Sequence, residues 1–183
     1  LDLVVMQNGS PTVAVLINQG NETFTAGNPV TFAGNLLNLT AADVSGDDKV
    51  DLAATITTGT AATSGMYVAT GNGDGTFQPP VKIHDNDFFL TLSQDAATAD
   101  VDGNGHPDIL VTAGTMSGIG LTTFLNNGNG TFQPPVSFAP TGIGDPLAVA
   151  DFNGDGRPDV VVANRSTNHF SLFLANANGT FQT

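Results

Sequence analysis

Apolar positions along this chain come in short runs of about five or six residues, rich in Val, Ile, Leu, Phe and Thr and bounded by Gly, Asn, Asp and Pro. Such runs predict strands punctuated by turns, and no stretch sustains the spacing of an amphipathic helix. Near the end of the chain, Pro146–Asp151 predicts one strand, and Asp159–Ala163 predicts a second whose near-continuous apolar run implies burial on both faces. Phe170–Ala175 then alternates, with Phe170, Leu172 and Leu174 on one face, before an Asn-Ala-Asn-Gly turn. Gln78-Pro-Pro-Val81 and Gln133-Pro-Pro-Val136 suit an outer edge strand, which tolerates Pro because an edge need not donate every ladder bond.

The strands recur with a beat. Three nine-residue segments begin and end with Asp: Asp43-Val-Ser-Gly-Asp-Asp-Lys-Val-Asp51, Asp100-Val-Asp-Gly-Asn-Gly-His-Pro-Asp108 and Asp151-Phe-Asn-Gly-Asp-Gly-Arg-Pro-Asp159. Each is followed by an apolar run, and Asp2-Leu3-Val4-Val5 reads as the tail of a fourth copy. The ninth-position residues Asp2, Asp51, Asp108 and Asp159 lie 49, 57 and 51 residues apart. A Thr-Phe pair, at Phe24, Phe77, Phe132 and Phe181, keeps the same order 22 to 26 residues after each of them. Units of about 50 residues are the length of a four-stranded propeller blade. The expected fold is therefore all-β: a propeller-type array of about four four-stranded blades, three and a half of them complete, in one repeat domain over 1–183. Its units are 1–33 (partial), 34–84, 85–140 and 141–183 (partial). Within each, the acidic loop falls between the first and second strands.

Within the nine-residue loops, positions 1, 3, 5 and 9 offer side-chain oxygens, and position 7 offers a backbone carbonyl. Gly at position 6 permits a sharp reversal, with Asp48 in its place in the first loop. Oxygen-only ligation with several carboxylates suits Ca²⁺, whereas zinc would want His or Cys. An EF-hand is excluded, because its Glu at position 12 is replaced by Ala54, Val111 and Val162, each inside an apolar run. Asp, Asn and Gly are also ordinary turn residues. Three loops with at least three carboxylates each still favour a divalent ion, since unneutralised carboxylates at such spacing repel.

Residues 151–164, Asp-Phe-Asn-Gly-Asp-Gly-Arg-Pro-Asp-Val-Val-Val-Ala-Asn, together with the Asn-Gly-Thr-Phe-Gln that follows, closely resemble the FG-GAP/VCBS repeats of integrin α-subunit propellers and of many bacterial surface and secreted proteins. The resemblance covers essentially the whole chain. It implies about three Ca²⁺ ions. The first is held by Asp43, Ser45, Asp47, the Lys49 carbonyl and Asp51; the second by Asp100, Asp102, Asn104, the His106 carbonyl and Asp108; the third by Asp151, Asn153, Asp155, the Arg157 carbonyl and Asp159. Family propellers usually close with seven blades. This smaller count admits three accounts: the chain is part of a longer propeller, it closes as a small or dimeric ring, or its incomplete terminal blades are completed by other protein chains, a self-association expected because the first strand of the first unit and the last strand of the fourth are missing and open edges need partners.

Composition narrows the remaining choices. Seventeen Asp+Glu against four Lys+Arg give a net charge of -13, which argues against nucleic acid and anionic membrane as partners. Ten of the seventeen acids lie in the three loops, so much of the acidity is a metal-binding inventory. With no Cys there is no disulfide or thiolate chemistry, and apolar runs such as Val13–Ile17 are far short of a membrane span. His84, His106 and His169 lie in unrelated registers and nominate no catalytic site. Gly71-Asn-Gly-Asp-Gly75 reads as a hairpin turn, Tyr67 as a strand residue, and the twelve Phe as core aromatics. Glycosylation sequons occur at Asn8, Asn21, Asn38, Asn129, Asn164 and Asn178, some of them within the repeated Asn-Gly-Thr turn. The expected function is that of an extracellular or cell-surface, non-enzymatic, calcium-stabilised scaffold, adhesion or self-assembling module. The alternative is a fragment of a carbohydrate-binding or polysaccharide-lyase-type propeller that takes glycans.

Overall fold

The computed structural model describes residues 2–7, 9–58, 60, 63–85, 95–115, 118–138, 144–164 and 168–182. The described residues form sixteen strands in four antiparallel four-stranded sheets, taken in chain order. Sheet one holds β1 (Leu3–Met6), β2 (Thr12–Asn18), β3 (Phe24–Ala26) and β4 (Val30–Thr31). Sheet two holds β5 (Asn35–Ala42), β6 (Asp51–Thr57), β7 (Gly65–Ala69) and β8 (Val81–Asp85). Sheet three holds β9 (Asp95–Ala99), β10 (Asp108–Thr115), β11 (Gly118–Phe124) and β12 (Val136–Phe138). Sheet four holds β13 (Gly144–Ala150), β14 (Asp159–Asn164), β15 (His169–Ala175) and β16 (Phe181–Gln182).

Sheets two to four run up and down, each strand pairing with the next. Sheet one reaches four strands differently, since β3 and β4 both pair with β2 and β1 stands at the edge that β5 occupies in sheet two. The last strand of the fourth unit, expected to be missing, is present as the two-residue β16. The prolines of the second and third units lie just ahead of their edge strands, which start at Val81 and Val136.

The sheets stack as an open, propeller-like array, with β5 beside β9 and β9 beside β13. Three apolar layers fill the gaps. Val13, Val15 and Val30 meet Leu52, Ala54 and Tyr67; Ala53, Met66 and Val68 meet Ile109, Val111 and Phe124; Leu110 and Leu121 meet Val160, Val162 and Phe173. A rule emerges from these sets. In each second strand, the residues one and three places after the ninth-position Asp face the preceding sheet, and the intervening one faces the following sheet. Period two converts a continuous apolar run into two buried faces.

That rule explains where β14 departs from expectation. β6 is buried on both faces, but in β14 Val161 is half-buried and Ala163 exposed, because no sheet among the described residues covers that side. The alternation in β15 is as expected, with Phe170, Leu172 and Leu174 on one face; that face is the outer one, Phe170 and Leu172 being 73% and 38% exposed while Phe173 and Ala175 are core. Phe24, Phe152 and Phe170 are all exposed, so the phenylalanines are not uniformly core residues. Tyr67 is a buried strand residue whose hydroxyl donates to the Thr63 carbonyl at 2.8 Å.

Candidate metal centre

The three acidic loops join β5 to β6, β9 to β10 and β13 to β14. Each is folded first by its own leading aspartate. Asp43 accepts from the N–H groups of Gly46, Asp47 and Asp48; Asp100 from those of Gly103, Asn104 and Gly105; Asp151 from those of Gly154, Asp155 and Gly156, all at 2.7–3.2 Å. The reversal needs left-handed backbone at positions 4 and 6, where Asp48 takes φ 63° in place of the glycine found in the other loops. These bonds hold the Asp151 carboxyl below the ordinary carboxylate range, the Gly156 N–H contributing most.

The ninth-position aspartates have a role that the sequence reading missed. Asp51, Asp108 and Asp159 are fully buried. One oxygen of each accepts from the start of its own loop: Asp51 from Val44 and Ser45, Asp108 from Val101, and Asp159 from Phe152, at 2.8–3.0 Å. The other oxygen accepts from the far end of the third strand, from Gly71, Asn126 and Ala175 at 2.7–2.8 Å. Asp2 makes the same second bond to Asn18 N–H at 2.9 Å. Each buried carboxylate is thus a staple from loop to sheet.

The loops differ in how their other carboxylates lie. In the second, oxygens of Asp100, Asp102 and Asp108 all lie within 4.8 Å of one another. In the first, Lys49 pairs with Asp47 at 2.9 Å, lowering the Asp47 pKa chiefly through their side-chain hydrogen bond; in the third, Arg157 pairs with Asp155. The second loop carries His106 at that position, and its Asn104 amide donates to Asp102 and to the Asn126 carbonyl. Three oxygen donors converging beside a reversed backbone, with spare lone pairs, fit a hard divalent cation. Ser45 and Asn153 are placed in their loops, but Ser45 Oγ reaches Asp43 only at 3.5 Å and the Asn153 amide donates to Asp155.

Burial pushes the Asp108 carboxyl up to about 6 from its ordinary 3.8; its backbone hydrogen bonds oppose the rise, and Asp102 and Asp100 add to it. In the folded protein this group keeps its proton at pH values where the unfolded chain has lost it. Its contribution to stability is therefore fullest below about pH 4 and is lost as pH rises through 6. Metal-free protein is expected to melt at a higher temperature at pH 5 than at pH 7.5, a difference that Asp108→Asn should remove when thermal melts in EDTA are compared.

Neighbouring units clasp one another at the loops. The Asn126 amide donates to the carbonyls of Val44 and Pro107, both at 3.0 Å, tying the first loop to sheet three. A Cβ on Gly46 would come 2.5 Å from the Gly128 carbonyl oxygen, whereas one on Gly154 would meet nothing within 4 Å, at the same φ of 79°. Both alanine variants bear the same backbone strain, so Gly46→Ala is expected to lower the melting temperature more than Gly154→Ala by the cost of separating loop from turn.

The Thr-Phe landmark is turn chemistry. Thr23, Thr76, Thr131 and Thr180 donate their hydroxyls to Asn21, Asp74, Asn129 and Asn178 at 2.5–2.7 Å, and the Phe that follows pairs across the turn. This accounts for the Asn-Gly-Thr sequons at Asn129 and Asn178. Asn38 and Asn164 are buried, 4% and 5% exposed, so a glycan there is incompatible with the folded sheets and these two sequons are withdrawn as acceptors. Asn8 lies outside the described residues.

An open stack of four-stranded sheets, with an aspartate-rich loop between the first and second strands of three of them, defines a propeller-type repeat module. An FG-GAP-like repeat model matches residues 56–111, 113–162 and 151–183, and the chain belongs to that family. Repeat and sheet are out of phase, since the first two matched segments each start within one sheet and end in the second strand of the next. Comparison with curated proteins finds no match. Among solved structures the chain is similar to an Agrocybe aegerita lectin, studied for specific recognition of non-reducing terminal N-acetylglucosamine, with a TM-score of 0.62 and 24% identity. The match covers 100% of this chain and 48% of the lectin's, so the chain spans about half the lectin's length. At that identity the likeness is one of fold. No helix among the described residues is long and apolar enough to cross a membrane.

Proposed function

We propose that this chain is an extracellular, non-enzymatic scaffold module whose acidic loops take up Ca²⁺ to pin each turn between two strands. The observation that carries the reading is the convergence of Asp100, Asp102 and Asp108, a three-carboxylate cluster that, among the described residues, no ion pair engages. The second loop binds first; in the first and third loops, Lys49 and Arg157 must be displaced from the position-5 aspartates. The role is structural, because a bound ion offsets repulsion among carboxylates that the fold brings together. Exposed, partly self-bonded loops of this kind suit the millimolar calcium found outside cells. Isothermal titration with calcium tests the reading: the tightest site should disappear in Asp102→Asn and persist in Asn153→Ala.

A second reading, glycan binding, rests on a cleft of about 770 Å³ between sheets one and two, bordered by Asp2, Lys49, Asn72, Thr76 and Phe77. It combines an aromatic ring with polar groups, as sugar sites do, and the similar lectin lends it support. Retention on arrays of N-acetylglucosamine-terminated glycans, lost in Phe77→Ala, would favour it; no retention would leave the scaffold reading.

A further inference from the structure

The first and second acidic loops meet at the turn that follows β11, and Asn126 stands at its start. This fully buried residue touches the second loop at three points. Its N–H donates to Asp108 at 2.7 Å, its side-chain amide donates to the Pro107 carbonyl at 3.0 Å, and its own carbonyl accepts from the Asn104 amide at 2.8 Å. The same side-chain amide donates to the Val44 carbonyl of the first loop at 3.0 Å. That carbonyl belongs to the peptide whose N–H, on Ser45, donates to Asp51 at 2.8 Å. Consecutive hydrogen bonds thus run from the buried carboxylate of the first loop, through Asn126, to that of the second. Packing follows the same path. The Gly128 carbonyl lies where a Cβ on Gly46 of the first loop would fall, and the His106 ring of the second loop lies where one on Gly128 would, so the turn is clamped between the two loops. The other junctions lack these parts. Gly71 and Ala175 donate to their ninth-position aspartates as Asn126 does, but neither has a side-chain amide. Position 5 is Asp47 in the first loop and Asp155 in the third, carboxylates that cannot donate as Asn104 does.

We propose that Asn126 is a positioning residue that couples the two loops, so that calcium in the second loop raises the affinity of the first for its own ion, while the third fills independently. The inference rests on the calcium reading of the acidic loops and adds the order and linkage of their filling. The second loop fills first because its three carboxylates already converge. An ion there fixes Asn104 and Asp108, the two residues that grip the carbonyl and the N–H of Asn126. The Asn126 side chain is then held against Val44, and the clamped turn against Gly46. The first loop needs that help, since its Asp47 must part from Lys49 before it can ligate. A site whose ordering cost has been met by a neighbour binds more tightly, with no change of ligands. Repulsion between the two ions opposes the effect, but salt at physiological strength screens it over about 8 Å. At the next junction the second loop meets sheet four by packing, with Asp102 Cβ 3.1 Å from where a Cβ on Gly179 would lie, and Ala175 supplies no amide to pass the constraint on.

Calcium titration of the whole chain, followed by proton–nitrogen NMR at physiological salt, tests the proposal. Loop glycines report each site separately: Gly46 the first loop, Gly103 and Gly105 the second, Gly154 and Gly156 the third. Asp102→Asn, which weakens the second loop, is expected to raise the calcium midpoint of Gly46 about fivefold or more and to leave Gly154 and Gly156 unmoved. Asn126→Ala removes only the side-chain amide, and Gly71 and Ala175 make the equivalent backbone bond without one. It should raise the Gly46 midpoint by a similar factor, and adding Asp102→Asn to it should raise that midpoint no further. A residue that merely stabilised the fold would leave the Asp102→Asn effect intact. Far-UV circular dichroism verifies folding; Asn126→Ser, whose short side chain cannot span the two carbonyls, gives the same comparison if Asn126→Ala does not fold. A Gly46 midpoint indifferent to Asp102→Asn overturns the proposal, and so does a shift that persists in the Asn126→Ala background. Wild-type glycines that respond to calcium in none of the loops refute the calcium reading itself.

Discussion

Asp51→Ala is expected to destabilise the protein by about 3–6 kcal/mol, and to do so in EDTA as well as in calcium. The basis is the number of donors it strands: the N–H groups of Val44, Ser45 and Gly71 all bond to this fully buried carboxylate. A buried donor left without an acceptor costs about 1–3 kcal/mol, and an alanine methyl replaces none of the three bonds. Asp2→Ala is the internal control. Asp2 is exposed and accepts one such bond, from Asn18, so its loss should cost about 1 kcal/mol or less. Urea unfolding in EDTA measures both. Equal small effects would mean that the ninth aspartate matters only as a metal ligand, contrary to the staple that Asp51, Asp108 and Asp159 each make.

Calcium is expected to raise the melting temperature by about 5–10 °C, and Asp102→Asn to remove most of that gain. One site held at a hundred times its dissociation constant contributes about 2.7 kcal/mol. A domain of this size moves about 2–4 °C per kcal/mol. Asp102 is the informative position because its carboxylate accepts only local bonds from Asn104 and takes no part in the staple. The substitution therefore withdraws charge from the cluster without unlatching the loop. Differential scanning calorimetry with calcium and with EDTA gives the comparison. An undiminished calcium shift in Asp102→Asn would place the ion elsewhere, and no shift in the wild type after verified metal removal would end the calcium reading.

The repeat was legible because two local chemistries recur along the chain. An aspartate that folds its own loop leaves a fixed nine-residue pattern, and a threonine that closes its turn on Asn or Asp leaves Thr-Phe. Both are decided within a few residues, so sequence alone locates them. The strands were legible for a similar reason, because period two and β-branched runs are local. The donor types of the loops could be read as well, but not their standing. Lys49 folding onto Asp47 and Arg157 onto Asp155 separate the first and third loops from the second, and no spacing announces that an ion pair will form at one position 7 and not at another.

Sequence by itself determined the all-β class, the number of units, the position of each acidic loop between first and second strands, and the family. Tertiary structure alone decided which faces are covered. β6 and β14 carry similar apolar runs, yet β6 is buried on both sides and β14 on one, since burial depends on whether another sheet stands opposite. It also decided that Asp51, Asp108 and Asp159 are buried staples, because the Gly71, Asn126 and Ala175 donors reach them only after two further strands have folded back. A residue's chemistry is written locally, whereas its partners are set by contacts between segments distant in the chain.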